Sequence, residues 1–531
     1  MSAATRLRRL SEEVEITVLE RGGEVSFANC GLPYHVGGVI EHRGSLVLQT
    51  PKALKSRFNI DVHVRTEATS IDRERKVVTA RDLTTGDTTE FPYDALVLSP
   101  GSTPVRPPLP GVEHAKVLWN LDDMDALIEA TQSAKRAVVV GGGFIGLEVT
   151  ENLRHRGLEV TLVEAVPQLM ATLDVEMAWL LTERARFNGV DVRLAEAVAA
   201  ITPDGVTLAT GEEIPADVVV MAVGAKPNTE LAVQAGLTMG AAGGVVVDDH
   251  QRTSDPSIYA VGDVAEKHRP EGSSLVPLAG LANRHGRYAA DAMMGLPVRY
   301  RPALGTSIVG FFGLAAGSVG STERVLANQG RAMRIIHTHP MDHAGYYPGG
   351  AQLAMKLIVD PETDLLLGAQ VVGDDGVDKR IDVLATAMAA GLTATDLVDL
   401  ELAYAPQFAS AKDPVNMLGY VNDNRRSGEA AVQWHEIEAL RDSGWLLVDV
   451  RTAFEHNRGT IPGSTLIEVD HIRDHLDSLR GKKVIVFCRV GQRGHTAASI
   501  LRHEGIEVAN LDGGYLTWQL GHLATTSAER K

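Results

Sequence analysis

The middle of the chain carries the pattern that most constrains its fold. The apolar run 136–140 predicts a buried strand, and it leads into a Gly-x-Gly-x-x-Gly loop at residues 141–146. A helical stretch and the strand 159–163 follow, and this strand ends at Glu164, 18 residues past the last glycine of the loop. Glycines here let a pyrophosphate approach the amide groups of a helix start, and the carboxylate can accept hydrogen bonds from a ribose. The pattern predicts a dinucleotide-binding βαβ unit that favours NADH over NADPH.

A second, incomplete copy of this unit opens the chain. Residues 3–10 predict a helix, and the strand that follows ends at an acid, Glu20. In the central copy the middle glycine precedes the acid by 21 residues, but 21 residues before Glu20 is a position ahead of Met1. We therefore expect the first strand and most of the glycine loop of this copy to be missing from the chain, with Met1 corresponding to an internal methionine.

Two dinucleotide-binding units in one chain indicate two dinucleotides, and we interpret the second as a flavin. Three fragments agree with this interpretation, at residues 95–101, 219–228 and 257–263. The last is a strand that delivers Asp263 to a helix start, where a carboxylate can bond a ribityl hydroxyl. A simple turn at Gly262 and Asp263 is the alternative, which the order of the three fragments disfavours.

Composition and charge restrict the class of protein. A chain of 531 residues predicts several domains, roughly three or four. The net charge of −17, from 68 acidic against 51 basic residues, argues against nucleic acid or an anionic membrane as a general partner. No apolar stretch is long enough to span a bilayer; the nearest, 306–318, predicts a buried strand pair. No metal site is predicted. No targeting segment is predicted either, and two cysteines make no disulfide framework. We therefore expect a cytoplasmic protein.

The motifs divide the chain into five parts. A helix is expected near 379–390, and the polar stretch 422–429 is interpreted as a bridge into a compact final unit. In that unit short strands alternate with helices, which predicts a small parallel α/β domain. The expected parts are a first flavin-binding part (1–120), a nicotinamide-binding domain (121–245), a second flavin-binding part (246–304), an interface domain (305–425) and the final domain (431–525).

Short motifs along the first 425 residues resemble those of one flavoprotein family. They are Ser-Phe-Ala-Asn-Cys at 26–30, Gly-Asp at 262–263, His-Ala-Gly-Tyr-Tyr-Pro-Gly at 343–349 and Ala-Tyr-Ala-Pro at 403–406. Together with the two nucleotide units they resemble the coenzyme A-disulfide reductase family of flavoprotein pyridine-nucleotide-disulfide oxidoreductases. Asp-Val-Arg at 449–451, Cys-Arg-Val-Gly-Gln-Arg at 488–493 and Asp-Gly-Gly-Tyr at 512–515 resemble a rhodanese domain. The whole is similar to the reductase–rhodanese fusions of that family.

The resemblance implies an α/β fold with two Rossmann-like domains, an α+β dimerisation domain and a C-terminal rhodanese-like α/β domain. It implies FAD, NADH or NADPH and coenzyme A, a homodimer, and CoA disulfide, CoA persulfide or polysulfide as substrate. The flavin and nicotinamide contacts it implies are Glu20, Ser99, Gly101, Gly141, Gly143, Phe144, Ile145, Gly146, Glu164, Gly224, Gly262, Asp263 and Pro277. The CoA contacts it implies are Arg6, Arg9, Ser26, Asn29 and Lys412. For the two arginines a solvated helix face is the alternative.

The same resemblance implies that tyrosines reach in from the partner subunit. They are Tyr404 and either Tyr346 or Tyr347, and one of them could protonate the departing CoA thiolate. A buried aromatic cluster is the alternative for the adjacent pair.

Cys30 lacks a second cysteine five residues away, so it cannot run a dithiol cycle. A single thiolate forms either a mixed disulfide with a small thiol or a sulfenic acid. The first option suits coenzyme A.

Cys488 ends the apolar run 483–487, and its loop is expected to return to a helix near His495. The amides of such a loop form an anion cradle, which could hold a persulfide with charge added by Arg489 and Arg493. The preceding Asp-Val-Arg is expected to be structural.

Three functions are compatible with these residues. The preferred one is an NAD(P)H- and FAD-dependent reductase of CoA-linked disulfides or persulfides with an attached sulfur-carrier domain. The second is an NADH oxidase or peroxidase that cycles Cys30 through sulfenic acid. The third is a flavin-free pseudo-reductase in which only the rhodanese domain works.

Overall fold

The computed structural model describes residues 1–529 and divides them into two compact units. The first unit contains Met1–Gly141, Ile145–Val160 and Val198–Gly305, and the second contains Gly142–Phe144, Thr161–Ala197 and the chain from Thr306 onward. Within the part that is described, no helix combines the length and the apolar character needed to cross a membrane.

Short strands and eight helices make up the first 305 residues. The helices are α1 (Ser2–Leu10), α2 (Leu32–Val36), α3 (Pro51–Phe58), α4 (Leu121–Thr131), α5 (Phe144–His155), α6 (Val175–Phe187), α7 (Glu230–Gln234) and α8 (Ala279–Met293). The strands are β1 (Thr17–Leu19), β2 (Ser26–Phe27), β3 (Val47–Gln49), β4 (Asp61–His63), β5 (Thr66–Asp72), β6 (Val77–Asp82), β7 (Thr88–Pro92), β8 (Leu96–Leu98), β9 (Ser102–Pro104), β10 (Arg136–Val140), β11 (Glu159–Glu164), β12 (Asp191–Leu194), β13 (Val198–Thr202), β14 (Gly205–Leu208), β15 (Glu213–Pro215), β16 (Val218–Met221), β17 (Ala225–Pro227), β18 (Ile258–Ala260), β19 (Lys267–Arg269) and β20 (Gly272–Ser274).

The remaining described residues alternate longer strands with helices. The strands are β21 (Ser307–Phe311), β22 (Leu314–Gly320), β23 (Arg334–Thr338), β24 (Ala354–Val359), β25 (Leu366–Gly373), β26 (Ala431–Val432), β27 (Leu446–Asp449), β28 (Thr465–Leu466), β29 (Lys483–Phe487) and β30 (Glu507–Leu511). The helices are α9 (Glu323–Asn328), α10 (Val377–Ala390), α11 (Pro414–Arg426), α12 (Ile437–Asp442), α13 (Ala453–Asn457), α14 (Leu476–Leu479), α15 (Gln492–His503) and α16 (Gly514–Glu529).

Parallel strand pairs form the frame of the first unit. Strand β1 pairs with β4, β8 with β18 and β10 with β16, all in parallel. The predicted strand 136–140 is confirmed as β10, in which every residue after Arg136 is buried. Such continuous burial is typical of a parallel strand covered on both faces. Within residues 1–529 the pairs β1–β4 and β8–β18 remain separate two-stranded sheets, and the chain enters this unit at α1.

An antiparallel sheet lies in the second unit. Its order is β21-β22-β25-β24-β23, and α10 packs against β22 and β25. The predicted strand pair at 306–318 is confirmed as β21 and β22, and the predicted helix near 379–390 is confirmed, beginning two residues earlier. Strand β23 is at the edge of this sheet.

A five-stranded parallel sheet of order β26-β30-β29-β27-β28 forms the end of the chain. Alternate residues of β29 belong to different cores: Val484 and Val486 join the core that includes α15, whereas Ile485 and Phe487 pack with Trp518 of α16. Cys488 continues the first set and is buried. Because side chains alternate between the two faces of a strand, the Cys488 side chain lies in the core that includes α15.

The polar stretch 422–429 leads into the final sheet, and its first part is helical. Helix α11 continues through Arg426, and Asn422 is fully buried with its amide donating to Asp364. Arg425 donates to Asp512, 2.7 Å away. These polar side chains have partners that are distant in the sequence.

Candidate active sites

Cys30 lies in a short turn that exposes its thiol. Strand β2 leads into the 3₁₀ turn Asn29–Gly31, and α2 follows at once. Gly31 packs closely on Leu46: a Cβ there would lie 2.5 Å from Leu46 Cδ2, so the leucine side chain would have to shift. The side-chain amide of Asn29 donates to the carbonyl oxygen of Trp119 over 3.0 Å, which holds the turn. The thiol is exposed and has no disulfide partner, so an external sulfur compound can reach it.

A proton-bearing pair lies one helical turn beyond this cysteine. The Tyr34 hydroxyl donates to Glu148 Oε1, 3.1 Å away. Burial raises the pKa of the Glu148 carboxyl. Burial also raises the pKa of Tyr34, and the charges of Glu148 and Cys30 add to the increase. The i to i+4 spacing from Cys30 to Tyr34 is visible in the sequence, but no local pattern marks Glu148 as its partner.

The acids predicted to bind nucleotides lie at the carboxyl ends of parallel strands. Glu20 directly follows β1, and its carboxylate accepts the Gly22 amide over 2.6 Å. Asp263 lies in the 3₁₀ turn Gly262–Val264 after β18, and its Oδ2 accepts the Ser102 hydroxyl over 2.8 Å. The carboxyl ends of parallel strands are where α/β sheets bind ligands.

Other residues predicted around a flavin lie on loops of the same unit. Ser99 follows β8 and is exposed; its Oγ would be 3.6 Å from a Cβ at Gly262. Gly101 and Gly224 have φ of 69° and 108°, a region that favours glycine. Pro277 is exposed just before α8.

The two arginines predicted to hold CoA phosphates differ in their surroundings. Arg6 is paired with Asp291 at 2.6 Å, and its side chain is largely buried. Arg9, one turn further along α1, is exposed. Ser26 is half-buried in β2. Of the two arginines, Arg9 is the one open to a ligand.

The three glycines of the central loop have different surroundings. Gly141 has φ of 108°, and a Cβ there would lie 2.4 Å from the Ala222 carbonyl oxygen. A Cβ at Gly146 would lie 1.8 Å from the Gly141 carbonyl oxygen, so only glycine allows α5 to pack this closely. A Cβ at Gly143 would meet no atom within 4 Å. That space leaves room for a pyrophosphate to approach the backbone.

Glu164 holds this loop from the end of β11. Its Oε2 accepts the Gly142 amide over 2.6 Å, and its Oε1 accepts the Val166 amide over 3.0 Å. Phe144 and Ile145 begin α5, and Gly146 lies in its first turn. The carboxylate therefore stands beside the loop, as a group that bonds a ribose must.

Two tyrosines of the second unit are joined through their hydroxyl groups. The oxygens of Tyr346 and Tyr404 lie 2.9 Å apart, and this hydrogen bond raises the pKa of Tyr346. Tyr346 is 76% exposed and Tyr347 is 44% exposed, so the alternative of a buried aromatic cluster is wrong. The Lys412 ammonium lies 5.5 Å from the ring centre of Tyr420 and remains exposed.

The loop after β29 is tightly packed around Cys488. Helix α15 begins at Gln492, three residues before the expected start at His495, and Gly491 ahead of it has φ of 93°. Gly514 has φ of 66°, and a Cβ there would lie 2.5 Å from the Cys488 carbonyl oxygen. The amide of Tyr515 donates to that same oxygen over 2.8 Å. The first turn of α16 thus holds the cysteine loop through its backbone.

Arg493 lies between an acid and the buried sulfur. Its guanidinium forms two hydrogen bonds with Glu455, at 2.7 and 2.6 Å. This contact lowers the pKa of Glu455 to about 2 and raises the pKa of Arg493, with a further contribution from Cys488. The Thr-x-x-Glu spacing at 452–455 predicts a helix cap but gives no sign of the contact with Arg493.

The expected structural role of the Asp-Val-Arg motif agrees with its contacts. Asp449 is buried and accepts hydrogen bonds from Arg451, at 2.6 and 2.9 Å, from Thr460 and from His456. A cavity of about 390 Å³ adjoins this cluster, and the residues that line it include Arg451, Phe454, Arg458, Arg489 and Tyr515. Sequence reasoning missed Phe454 and Arg458, at α13 and its end, and their approach to Tyr515 of α16, because the two helices are far apart in the sequence.

Three family models match successive parts of the chain. Residues 1–286 match the model of pyridine nucleotide-disulphide oxidoreductases, and residues 306–414 match the dimerisation domain of the same proteins. The chain belongs to the pyridine nucleotide-disulphide oxidoreductase family. It is therefore an oxidoreductase of the type that uses FAD and a nicotinamide nucleotide. Residues 433–520 match a rhodanese-like domain, as the sequence predicted.

Individual members of the oxidoreductase family resemble the chain over most of its length. Coenzyme A disulfide reductase from Staphylococcus epidermidis is 35% identical over 428 residues, 79% of this chain and 96% of that protein. The crystal structure of reduced Bacillus anthracis CoADR-RHD has a TM-score of 0.96 at 42% identity and covers 98% of this chain and 96% of its own. An NAD-dependent persulfide reductase from A. fulgidus has a TM-score of 0.90 at 37% identity and covers 97% of both chains.

Proposed function

We propose that the chain reduces CoA disulfide, CoA persulfide or polysulfide with electrons from NADH or NADPH, and that Cys30 is the residue that reacts with the sulfur substrate. The observation that carries the proposal is that Cys30 is an exposed thiol, while the only other cysteine of the sequence is buried in the rhodanese-like domain. A second sulfur must then come from the substrate. Relatives named for CoA disulfide and persulfide reduction support this substrate class.

Candidate residues for flavin binding occur among the described residues. Glu20 and Asp263 offer carboxylates at the ends of β1 and β18, where ribose and ribityl hydroxyls are bound in such folds. Ser99, Gly101, Gly262 and Pro277 are the further candidates. Bound FAD supplies the ring that passes reducing equivalents from the nicotinamide to sulfur.

The loop at 141–146 with Glu164 is our candidate for the nicotinamide nucleotide site. Support comes from the open space at Gly143 and from the carboxylate held beside the loop by the Gly142 amide. An acid at this place accepts hydrogen bonds from a free ribose 2′-hydroxyl and repels a 2′-phosphate, which favours NADH.

The sulfur chemistry at Cys30 balances without a second protein thiol. Its thiolate attacks one sulfur of CoA disulfide, the S–S bond of the substrate breaks, and one CoA thiolate leaves. The mixed disulfide Cys30–S–S–CoA then takes two electrons, its S–S bond breaks, and the second CoA leaves as a thiolate that accepts a proton. We propose Tyr404 or Tyr346 as the donor of that proton. The hydrogen bond between their two hydroxyl groups orients one hydroxyl toward the other.

We assign the residues that contact CoA on the basis of the family resemblance. We assign Ser26 and Asn29 to the thiol end of the ligand, and Arg9 to its phosphates. Arg6 is the weaker choice because it already pairs with Asp291. Lys412 is exposed on the second unit and is assigned to the same ligand in a dimer.

We propose that Cys488 carries sulfane sulfur as a persulfide. Support comes from the position of the cysteine at the start of a loop between a strand and a helix, and from Arg493 beside it. A guanidinium beside the cysteine can pair with the anion of a bound persulfide.

We further propose that the enzyme works as a homodimer in the cytoplasm. The dimerisation-domain match at 306–414 and two exposed tyrosines in that region support the dimer. Two free thiols suit a reducing compartment. We assign residues 1–120 and 246–304 to the flavin domain, 121–245 to the nicotinamide domain, 305–425 to the dimerisation domain and 431–525 to the rhodanese domain.

Steady-state assays with one reductant and four oxidants test the proposal. The full chain supplied with FAD and NADH should consume nucleotide faster with CoA disulfide, CoA persulfide or polysulfide than with hydrogen peroxide. The second candidate, an NADH oxidase, is favoured by the water-forming NADH oxidase from Lactobacillus brevis, which has a TM-score of 0.77 at 27% identity and covers 80% of this chain. A clear preference for peroxide or oxygen would select that candidate, and a colourless protein that cannot be loaded with FAD would leave only the rhodanese activity.

A further inference from the structure

A group of buried charges joins the antiparallel sheet to the rhodanese-like domain within the second unit. At its centre is His337 on the edge strand β23, which is 3% exposed. Its Nε2 lies 3.0 Å from Glu176 Oε1, and its Nδ1 lies 2.7 Å from Asp512 Oδ2. Its backbone amide donates to the same Asp512 oxygen over 2.8 Å. The carboxylate of the rhodanese-like domain therefore caps a free amide of the sheet edge.

The charges around His337 require it to carry a proton. Four carboxylates belong to the group, those of Asp174, Glu176, Glu323 and Asp512, whereas the permanent cations are Lys356 and Arg425. His339, the other nearby titratable ring, is neutral because burial lowers its pKa to about 3. Burial alone would lower the pKa of His337 too, but the hydrogen bonds to Asp512 and Glu176 raise it to about 9.

Three of these acids do not form a metal site. Oxygens of Asp174, Glu176 and Glu323 lie within 4.8 Å of one another, a spacing that a cation could bridge. The Lys356 ammonium lies among them, at 2.9, 2.6 and 2.8 Å. The Lys356 ammonium thus occupies the place that a metal ion would take. Its contacts hold the Glu176 carboxylate in position.

A continuous backbone path leads from Asp512 to the cysteine loop. Gly513 and Gly514 follow it directly, both with φ of 66°. The next two amides, of Tyr515 and Leu516, donate to the carbonyl oxygens of Cys488 and Arg489 over 2.8 and 3.0 Å. Any shift of Asp512 must therefore move the groups that hold Cys488.

We propose that His337 is a positioning residue for sulfur transfer at Cys488: by holding Asp512 it fixes the start of α16 and, through it, the loop that carries the thiol. The inference rests on the proposed sulfur-carrier function of that cysteine. His337 on β23 and its partner Glu176 on α6 both lie outside the rhodanese-like domain. Residues from outside that domain would thus help to position Cys488.

Two variants of the full chain test this assignment. His337→Gln and Asp512→Asn both keep hydrogen-bonding groups of similar size but remove the charge. Arg334→Met is the matched control: it lies on the same strand, and its guanidinium bonds Asp364 and Asn422 without contacting Asp512. Circular dichroism and thermal unfolding establish that each variant is folded, and either charge variant alone is sufficient for the test.

The first measurement is the rate at which iodoacetamide alkylates each cysteine, read by peptide mass spectrometry. Cys30 is exposed in the other unit and serves as the internal reference, whereas Cys488 is 1% exposed and reacts only when its loop opens. In both charge variants we expect the ratio of Cys488 to Cys30 alkylation to rise about three- to thirtyfold, a typical coupling through packed networks. In Arg334→Met the ratio should equal that of the unsubstituted chain.

The second measurement is sulfur transfer from thiosulfate to cyanide. In both charge variants kcat should fall by the same about three- to thirtyfold factor, with an unchanged KM for thiosulfate, because the donor site itself is intact. Unchanged alkylation ratios and kcat in folded variants would overturn the positioning role. A different result, no sulfur transfer by the unsubstituted chain, would contradict the proposed function of Cys488, while the alkylation ratios would still decide the positioning.

Discussion

The two cysteines differ because their local elements differ. Cys30 lies on a 3₁₀ turn between a two-residue strand and a five-residue helix, where few groups can cover it. Cys488 continues the alternation of β29 and enters a hydrophobic core. An exposed thiol can meet a substrate as large as coenzyme A, whereas a buried one must wait for sulfur to be delivered into its loop.

Removal of the Tyr404 hydroxyl tests the proposed proton donor. Tyr404→Phe should slow turnover with CoA disulfide about tenfold to a hundredfold, toward the lower end of general-acid contributions because Tyr346 can partly substitute. Reduction of the enzyme by NADH in a single turnover, followed by flavin absorbance, should be unchanged. Tyr346→Phe is the matched variant and should show a smaller loss, since it keeps the hydroxyl of Tyr404. Equal turnover in the Tyr404 variant and the unsubstituted chain would exclude a proton role.

Single residues were predictable where one local pattern defines their role. Glu164 follows a glycine loop at a fixed spacing, and Cys30 stands in a distinctive pentapeptide. Glu148, Glu455 and His337 were not predictable, because each acquires its partner only through the tertiary fold. A lone acid or histidine in a sequence gives no sign of such a partner.

At the scale of elements, the start of α16 is the most constrained connection near Cys488. Gly514 combines a positive φ with a carbonyl oxygen 2.5 Å from the position of a Cβ. Gly505 also has a positive φ, of 74°, but a Cβ there would meet nothing within 4 Å. A comparison of substitutions at these two glycines therefore distinguishes the energetic cost of a positive φ from the cost of a steric overlap.

This pair gives a matched prediction. Gly505→Ala should lower the free energy of unfolding by about 1 kcal/mol, the cost of a non-glycine residue in the left-handed region. Gly514→Ala should cost about 3 kcal/mol or more and should also reduce sulfur transfer, because the overlap displaces the loop of Cys488. Urea unfolding followed by tryptophan fluorescence, together with thiosulfate assays, provides the comparison. Equal losses in the two variants would mean that the loop adapts to the added methyl group.

Elements buried on both faces were predictable, and those held by polar partners were not. Strands β10 and β29 were evident as apolar runs, since burial on two faces is recorded directly in the local sequence. The helical end of α11 was not evident in the polar stretch 422–429, because its polar side chains are satisfied by Asp364 and Asp512. Hydropathy alone cannot distinguish such a helix from a solvated linker.

For the molecule as a whole, the buried charge group makes stability depend on pH. The folded-state pKa of His337 is raised from 6.5 to about 9, so its contribution is fully present below pH 6.5 and is lost as the pH rises through 9. We expect the free energy of unfolding to fall by up to about 3 kcal/mol across this window. His337→Gln should lack this component of the pH dependence. Identical slopes in the variant and the unsubstituted chain would show that another group causes the change.

The central claim is that Cys30 takes its second sulfur from outside the polypeptide. The most direct measurement is peptide mass spectrometry of the full chain after exposure to CoA disulfide without reductant. We predict coenzyme A linked through a disulfide to the peptide that contains Cys30, removable by dithiothreitol and absent in Cys30→Ser. An unmodified Cys30 in a preparation that turns over CoA disulfide with NADH, or a Cys30 trapped by dimedone as a sulfenic acid in its place, would contradict the account.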